Sequence, residues 1–62
     1  MDVNQEYLVQ CRAINLPKIK ETLNRGAELN VKNGNCLVAI IKGLGTSKDK
    51  ITTLDYLLVQ GA

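Results

Sequence analysis

Gly26-Ala27-Glu28-Leu29-Asn30-Val31-Lys32-Asn33-Gly34-Asn35 separates two apolar, helix-like halves. Arg25 and Gly26 read as a helix stop: a cation near the C-terminal dipole, then a residue that enters the left-handed region freely. Residues 27–32 are extended in character. Asn33-Gly34 is the commonest tight-turn dipeptide, because both residues tolerate positive φ. A finger-like turn is therefore expected over residues 26–36, with Lys32 and Asn33 near its tip. Its first dipeptide returns at the other end as Gly61-Ala62.

On the N-terminal side, Val3, Tyr7, Cys11 and Ile14 recur at helical spacing, with Leu8 beside them. This is the stripe of an amphipathic helix over residues 3–14, with Asp2 or Asn4 as its cap. Asn15-Leu16-Pro17 breaks it. Proline lacks an N–H and suits the first turn of a new helix, which Asn15 can cap. That second helix is expected over residues 17–25, with Ile19 and Leu23 inward and Lys18, Lys20, Glu21, Asn24 and Arg25 in solvent.

On the C-terminal side, Leu37-Val38-Ala39-Ile40-Ile41 is the most apolar run. A short continuous run has no readable period, so a buried strand stays open as an alternative. A helix over residues 37–42, stopped at Gly43, is the preferred reading. Thr46 with Asp49 three later resembles a capping box. A last helix follows over residues 47–59, with Ile51, Leu54, Leu57 and Leu58 as its stripe and Gly61 as its stop.

The 62 residues bound one domain, and a core this small is marginal without a staple or a partner. The net charge of +2 is too weak to imply a polyanion. The chain has two cysteines and no histidine. Cys11 and Cys36 lack the spacing of a disulfide framework and read as small buried apolar residues, with no disulfide expected. Two cysteines cannot close a zinc site, so no metal is expected. No run approaches the ~20 apolar residues that span a bilayer, and the acidic, polar start Met1-Asp2-Val3-Asn4 is unlike a secretory leader. A cytoplasmic protein is expected.

The halves superpose: each has a helix, a polar break, a second helix and Gly-Ala. Gly26 to Gly61 is a step of 35 positions, close to the ~33-residue period of ankyrin repeats. Gly26-Ala27-Glu28-Leu29-Asn30 resembles that family's Gly-Ala-Asp-Val-Asn finger. Leu57-Leu58-Val59-Gln60-Gly61-Ala62 resembles its Leu-Leu-x-x-Gly-Ala helix ending, and residues 19–27 are a weaker copy of it. The chain departs from the pattern at Cys36-Leu37-Val38-Ala39, where the family has Thr-Pro-Leu-His, and at Ile14-Asn15, where it has Gly-His. The resemblance implies an all-α helical-repeat solenoid of nearly two repeats: four helices as two helix-turn-helix hairpins, residues 1–25 and 37–62, joined by a short finger-like hairpin loop. It also implies a non-enzymatic protein-binding module with no cofactor. Its contact residues would be Val31, Lys32, Asn33 and Asn35 on the finger, with Ile40 on the next helix, although core is the better reading of Ile40.

The residues themselves offer little chemistry. Without histidine, no Cys–His pair or His-based triad can form. The carboxylates of Asp2, Glu6, Glu21, Glu28, Asp49 and Asp55 fall on separate elements and read as solvated faces. Gly43-Leu44-Gly45-Thr46-Ser47-Lys48 fails the phosphate-loop pattern and reads as an inter-helix loop. Lys42, Lys48 and Lys50 cluster, but only Tyr7 and Tyr56 could stack on bases, so nucleic acid is the least favoured partner. A protein of unknown identity is the expected partner. Repeat units bury their apolar faces on neighbours, and Leu57-Leu58 lead straight to the end of the sequence. The chain is thus expected either to continue as further repeats or to cover this end by self-association or against a partner, and a small assembly subunit is the alternative function.

Overall fold

The computed structural model describes residues 2–61, and the side chains of all of these except 32–35. The chain is all-α. It folds as α1 (Val3–Arg12), α2 (Leu16–Asn24), α3 (Val31–Ile41) and α4 (Ser47–Val59). No strand occurs among the described residues, so the apolar run at 37–41 is helical rather than extended.

Three helices start on the side chains expected to cap them. Asp2 accepts from the Gln5 N–H at 3.0 Å, Asn15 from Lys18 N–H at 3.4 Å and Thr46 from Asp49 N–H at 3.1 Å. Each satisfies an N–H that the first helical turn leaves without an intrahelical partner. The ends repeat one motif. Gly26, at φ 106, sends its N–H to Leu23 O, and Ala27 N–H reaches Thr22 O. Gly61, at φ 109, makes the matching bond to Leu58 O. The first is a Schellman closure, and the second shows the same left-handed glycine and glycine N–H bond just past the helix. The two glycines singled out in the sequence therefore play one structural role.

The end of α1 has the same closure without a glycine. Ile14 stands at φ 56, donating to Cys11 O, while Asn15 N–H reaches Gln10 O. A left-handed conformation costs an L-residue about 1–2 kcal/mol, and a β-branched side chain is poorly suited to it. Packing holds Ile14 there. A Cβ on Gly45 would lie 2.8 Å from Ile14 Cγ1, and one on Gly43 would lie 2.7 Å from Ile14 Cδ1 and 2.5 Å from Arg12 O. The Gly43-Leu44-Gly45 loop thus folds closely around Ile14, and Leu44 N–H donates to Arg12 O at 3.2 Å. This explains both loop glycines without a phosphate.

The finger-like turn expected over residues 26–36 is not formed. The chain crosses from α2 in residues 26–30 and enters α3 at Val31, so Asn33-Gly34 lies inside a helix. Asn-Gly permits a hairpin turn but does not impose one, and no strand pair stands here to be turned. Tertiary burial outweighs the ~1 kcal/mol that a helical glycine costs. Starting α3 early buries Val31 alongside Cys36 and Ile40. The crossing is fastened at Leu29, whose carbonyl accepts from Tyr7 Oη at 2.8 Å and from Cys36 Sγ at 3.2 Å. Asn4 Oδ1 takes the Glu28 N–H at 2.8 Å, and Asn30 Nδ2 donates to Gly61 O at 3.4 Å.

These bonds set the arrangement. Tyr7 and Cys36 meet at Leu29, while Arg12 and Leu44 meet at the far end, so α1 and α3 lie side by side in the same direction. α2 packs on α1, and α4 on α3. The core is Tyr7, Cys11, Ile19, Val31, Cys36, Ile40 and Leu57. Buried Thr22 and Thr53 turn their hydroxyls back onto Ile19 O and Asp49 O. Across α2 and α4, Lys20 Nζ sits 4.9 Å from the Tyr56 ring centre, within cation–π range.

Candidate functional site

Two parallel helices with inward stripes leave a furrow along their outer surfaces. Here the furrow is a cleft of about 430 Å³ lined by Leu8, Val9 and Arg12 of α1 and by Val38, Ala39 and Lys42 of α3. Its floor is aliphatic and one end is basic. Tyr7 and Cys11 on α1, and Cys36 and Ile40 on α3, point to the core four residues apart, which turns Leu8–Val9 and Val38–Ala39 toward the furrow. Val9 and Val38 are each about half exposed.

Arg12 is the last residue of α1 and Lys42 the C-cap of α3. Both therefore sit at helix C-termini, where the dipole favours cations. Neither makes an ion pair among the described residues. Arg25 is held by Glu6 at 2.7 Å, and Lys18 by Glu21 at 3.5 Å. Lys50 Nζ donates to Ile41 O at 3.0 Å, so it caps the end of α3 and adds to the positive charge there.

Beneath the cleft, Tyr7, Cys11 and Cys36 form a buried polar-sulfur group. Burial, reinforced by the Cys36 thiol, pushes Cys11 up from 9.0 to about 12. Burial first, then the Cys36 hydrogen bond, raises Tyr7 well above its ordinary value. Both groups stay protonated at neutral pH, and a protonated buried thiol is a poor nucleophile. Among the described residues, no group of three or more His, Cys, Asp or Glu is placed to hold a metal. No described helix is long and apolar enough to cross a membrane.

The contact residues expected on the finger fare unevenly. Val31 is 6% exposed and Ile40 is 0% exposed, so both belong to the core and cannot be presented to a partner. The early start of α3 turns Val31 inward, and Ile40 is one helical turn beyond buried Cys36. Lys32, Asn33 and Asn35 lie in the first turns of α3, with side chains outside the described residues. Leu8, Val38, Ala39 and Lys42 all stand in stretches noted in the sequence, but no local pattern pairs the two helices that make them one cleft. A signal was present: Leu8 and Val38 are surplus apolar residues, each followed four positions later by a cation, Arg12 and Lys42. Comparison with family models, curated proteins and solved structures finds no match to this chain.

Proposed function

We propose that the chain is a non-enzymatic protein-interaction module that acts in the cytoplasm and holds a segment of another protein in the α1–α3 cleft. The observation that carries this reading is an exposed aliphatic floor between two helices whose opposite faces fasten them into the core. Such concave, largely apolar surfaces with a few placed polar groups are where ligands bind. The reading keeps the two helix pairs as divergent repeats of ankyrin type, supported by the matching left-handed stops at Gly26 and Gly61. The buried, unpaired thiols of Cys11 and Cys36 support a reducing compartment.

The test is a random-peptide display selection against the chain, counter-screened with Val9→Gln/Val38→Gln. Both positions are half exposed, so the variant is expected to fold. Enriched peptides are expected to bind the parent chain and to weaken about tenfold or more against the variant, as when central apolar contacts are truncated. No enrichment, or equal binding to both, ends the reading.

A second reading, self-association, has its own observation. Ile51 and Leu58, two helical turns apart on α4, are 66% and 55% exposed, with half-buried Leu54 between them. Apolar stripes left uncovered on a helix mark contact faces. Sedimentation equilibrium over a wide concentration range decides it: a mass that rises with concentration and returns to monomer in Ile51→Lys/Leu58→Lys supports assembly, and a strict monomer removes it.

A further inference from the structure

We infer that the occupant of the α1–α3 cleft is an acidic apolar peptide segment, with its apolar side chain between Val9 and Val38 and its carboxylates against Arg12 and Lys42. The inference rests on the interaction reading above and adds the chemistry of the partner.

Charge complementarity carries it. The cleft is lined by four aliphatic residues and two cations, with no acid among them. Its two cations stand at one end, because Leu44 N–H on Arg12 O draws the end of α3 to the end of α1. The nearest comparison lies within the molecule itself. Among the described residues Arg25 and Lys18 have carboxylate partners, whereas Arg12, Lys20, Lys42, Lys48 and Lys50 have none, and of these only Arg12 and Lys42 line the aliphatic cleft. Arg12 and Lys42 are exposed, so a purely apolar occupant would leave two hydrated like charges side by side without a counter-ion. A carboxylate placed there restores the balance and fixes the direction in which the segment lies.

The same cations could meet a nucleic-acid phosphate, but the floor argues for peptide. Single strands bind by stacking bases on exposed aromatic rings, and the cleft has none. Tyr7 is fully buried, and the Tyr56 ring is covered by Lys20.

The experiment takes peptides enriched on the parent chain and compares each with its Glu/Asp→Gln/Asn version. Both are titrated against the parent, against Arg12→Glu/Lys42→Glu, and against Val9→Gln/Val38→Gln, at low and high salt. Circular dichroism and thermal melting check that each variant is folded. The enriched sequences are expected to carry a carboxylate within a helical turn of an apolar anchor. Neutralising it, or reversing the two cations, is expected to weaken binding about tenfold or more, and added salt to weaken it further. Peptides that depend on Val9 and Val38 but ignore charge reversal and salt overturn the inference while leaving the interaction reading standing. Displacement of the peptide by a mixed-sequence single-stranded oligonucleotide, at a lower concentration than the peptide itself requires, overturns it in favour of nucleic acid. A selection that enriches nothing removes both.

Discussion

Ile14 joins the two helix pairs at a cost to its own backbone. It is held at φ 56 because Gly43 and Gly45 leave room for its side chain. The nearest atoms to a Cβ at Gly45 are those of the Ile14 side chain, whereas at Gly43 they include the Arg12 and Ala39 carbonyls. Gly45→Ala is therefore expected to destabilise by about 1–3 kcal/mol, the usual cost of overpacking. Combining it with Ile14→Ala should recover part of that loss, while Gly43→Ala with Ile14→Ala should recover much less. Thermal melts of the two double-mutant cycles measure this coupling. Cys11 makes a second prediction. The unfolded chain releases this thiol proton near 9.0, but the folded chain holds it to about 12. Above the lower value the native state binds more protons, so the stabilisation present at neutral pH is lost as pH rises between the two. Tyr7, also raised, acts in the same direction. Urea midpoints should fall from about pH 9 upward, and less steeply in Cys11→Ala; a flat profile in the parent would contradict this.

Among the elements, α3 separates what could be read in the sequence from what could not. Helices α1 and α2 announce themselves by caps and stripes, and α4 spans Ser47–Val59 as its capping Thr46 and stopping Gly61 imply, although Ile51 and Leu58 of its expected stripe lie exposed while Thr53 is buried. α3 does not. Its N-cap, Asn30, makes no capping hydrogen bond, and Asn33-Gly34 advertises a turn. What starts the helix at Val31 is tertiary: Tyr7 and Cys36 fasten the Leu29 carbonyl, two residues upstream. Pairing of that kind is invisible to a local pattern. The candidate site was lost for the same reason, since the finger residues took the place of a cleft that exists only once α1 and α3 lie together. Ile14 was equally hidden, because nothing in its chemistry suggests a left-handed helix stop. Gly34→Ala discriminates between the two versions of this segment. Within a helix it should stabilise by about 0.5–1 kcal/mol, while in a positive-φ turn it would destabilise. Chemical denaturation of the single variant gives the sign.

The whole molecule is two helix pairs held by an α1–α3 contact, a small core of Tyr7, two cysteines and four aliphatic residues, and a fastened crossing, with ion pairs on the surface that contribute little. Glu6–Arg25 and Lys18–Glu21 are both partly exposed, and solvent screening with the entropy of holding two long side chains leaves such pairs little net stabilisation. Besides exposed Ile41, Leu44 and Val59, the architecture leaves apolar side chains uncovered in the α1–α3 cleft and on the Ile51–Leu58 side of α4. The cleft and the α4 side make different demands, one for a charged partner segment and one for another apolar face. The most direct discrimination between them is an amide chemical-shift map of the isotope-labelled chain, titrated with an enriched peptide at a protein concentration where the chain alone is monomeric. Shifts confined to residues 8–12 and 38–42 and saturating together are the expected result. Shifts centred on residues 51–58, or none at saturating peptide, would contradict a partner held between α1 and α3.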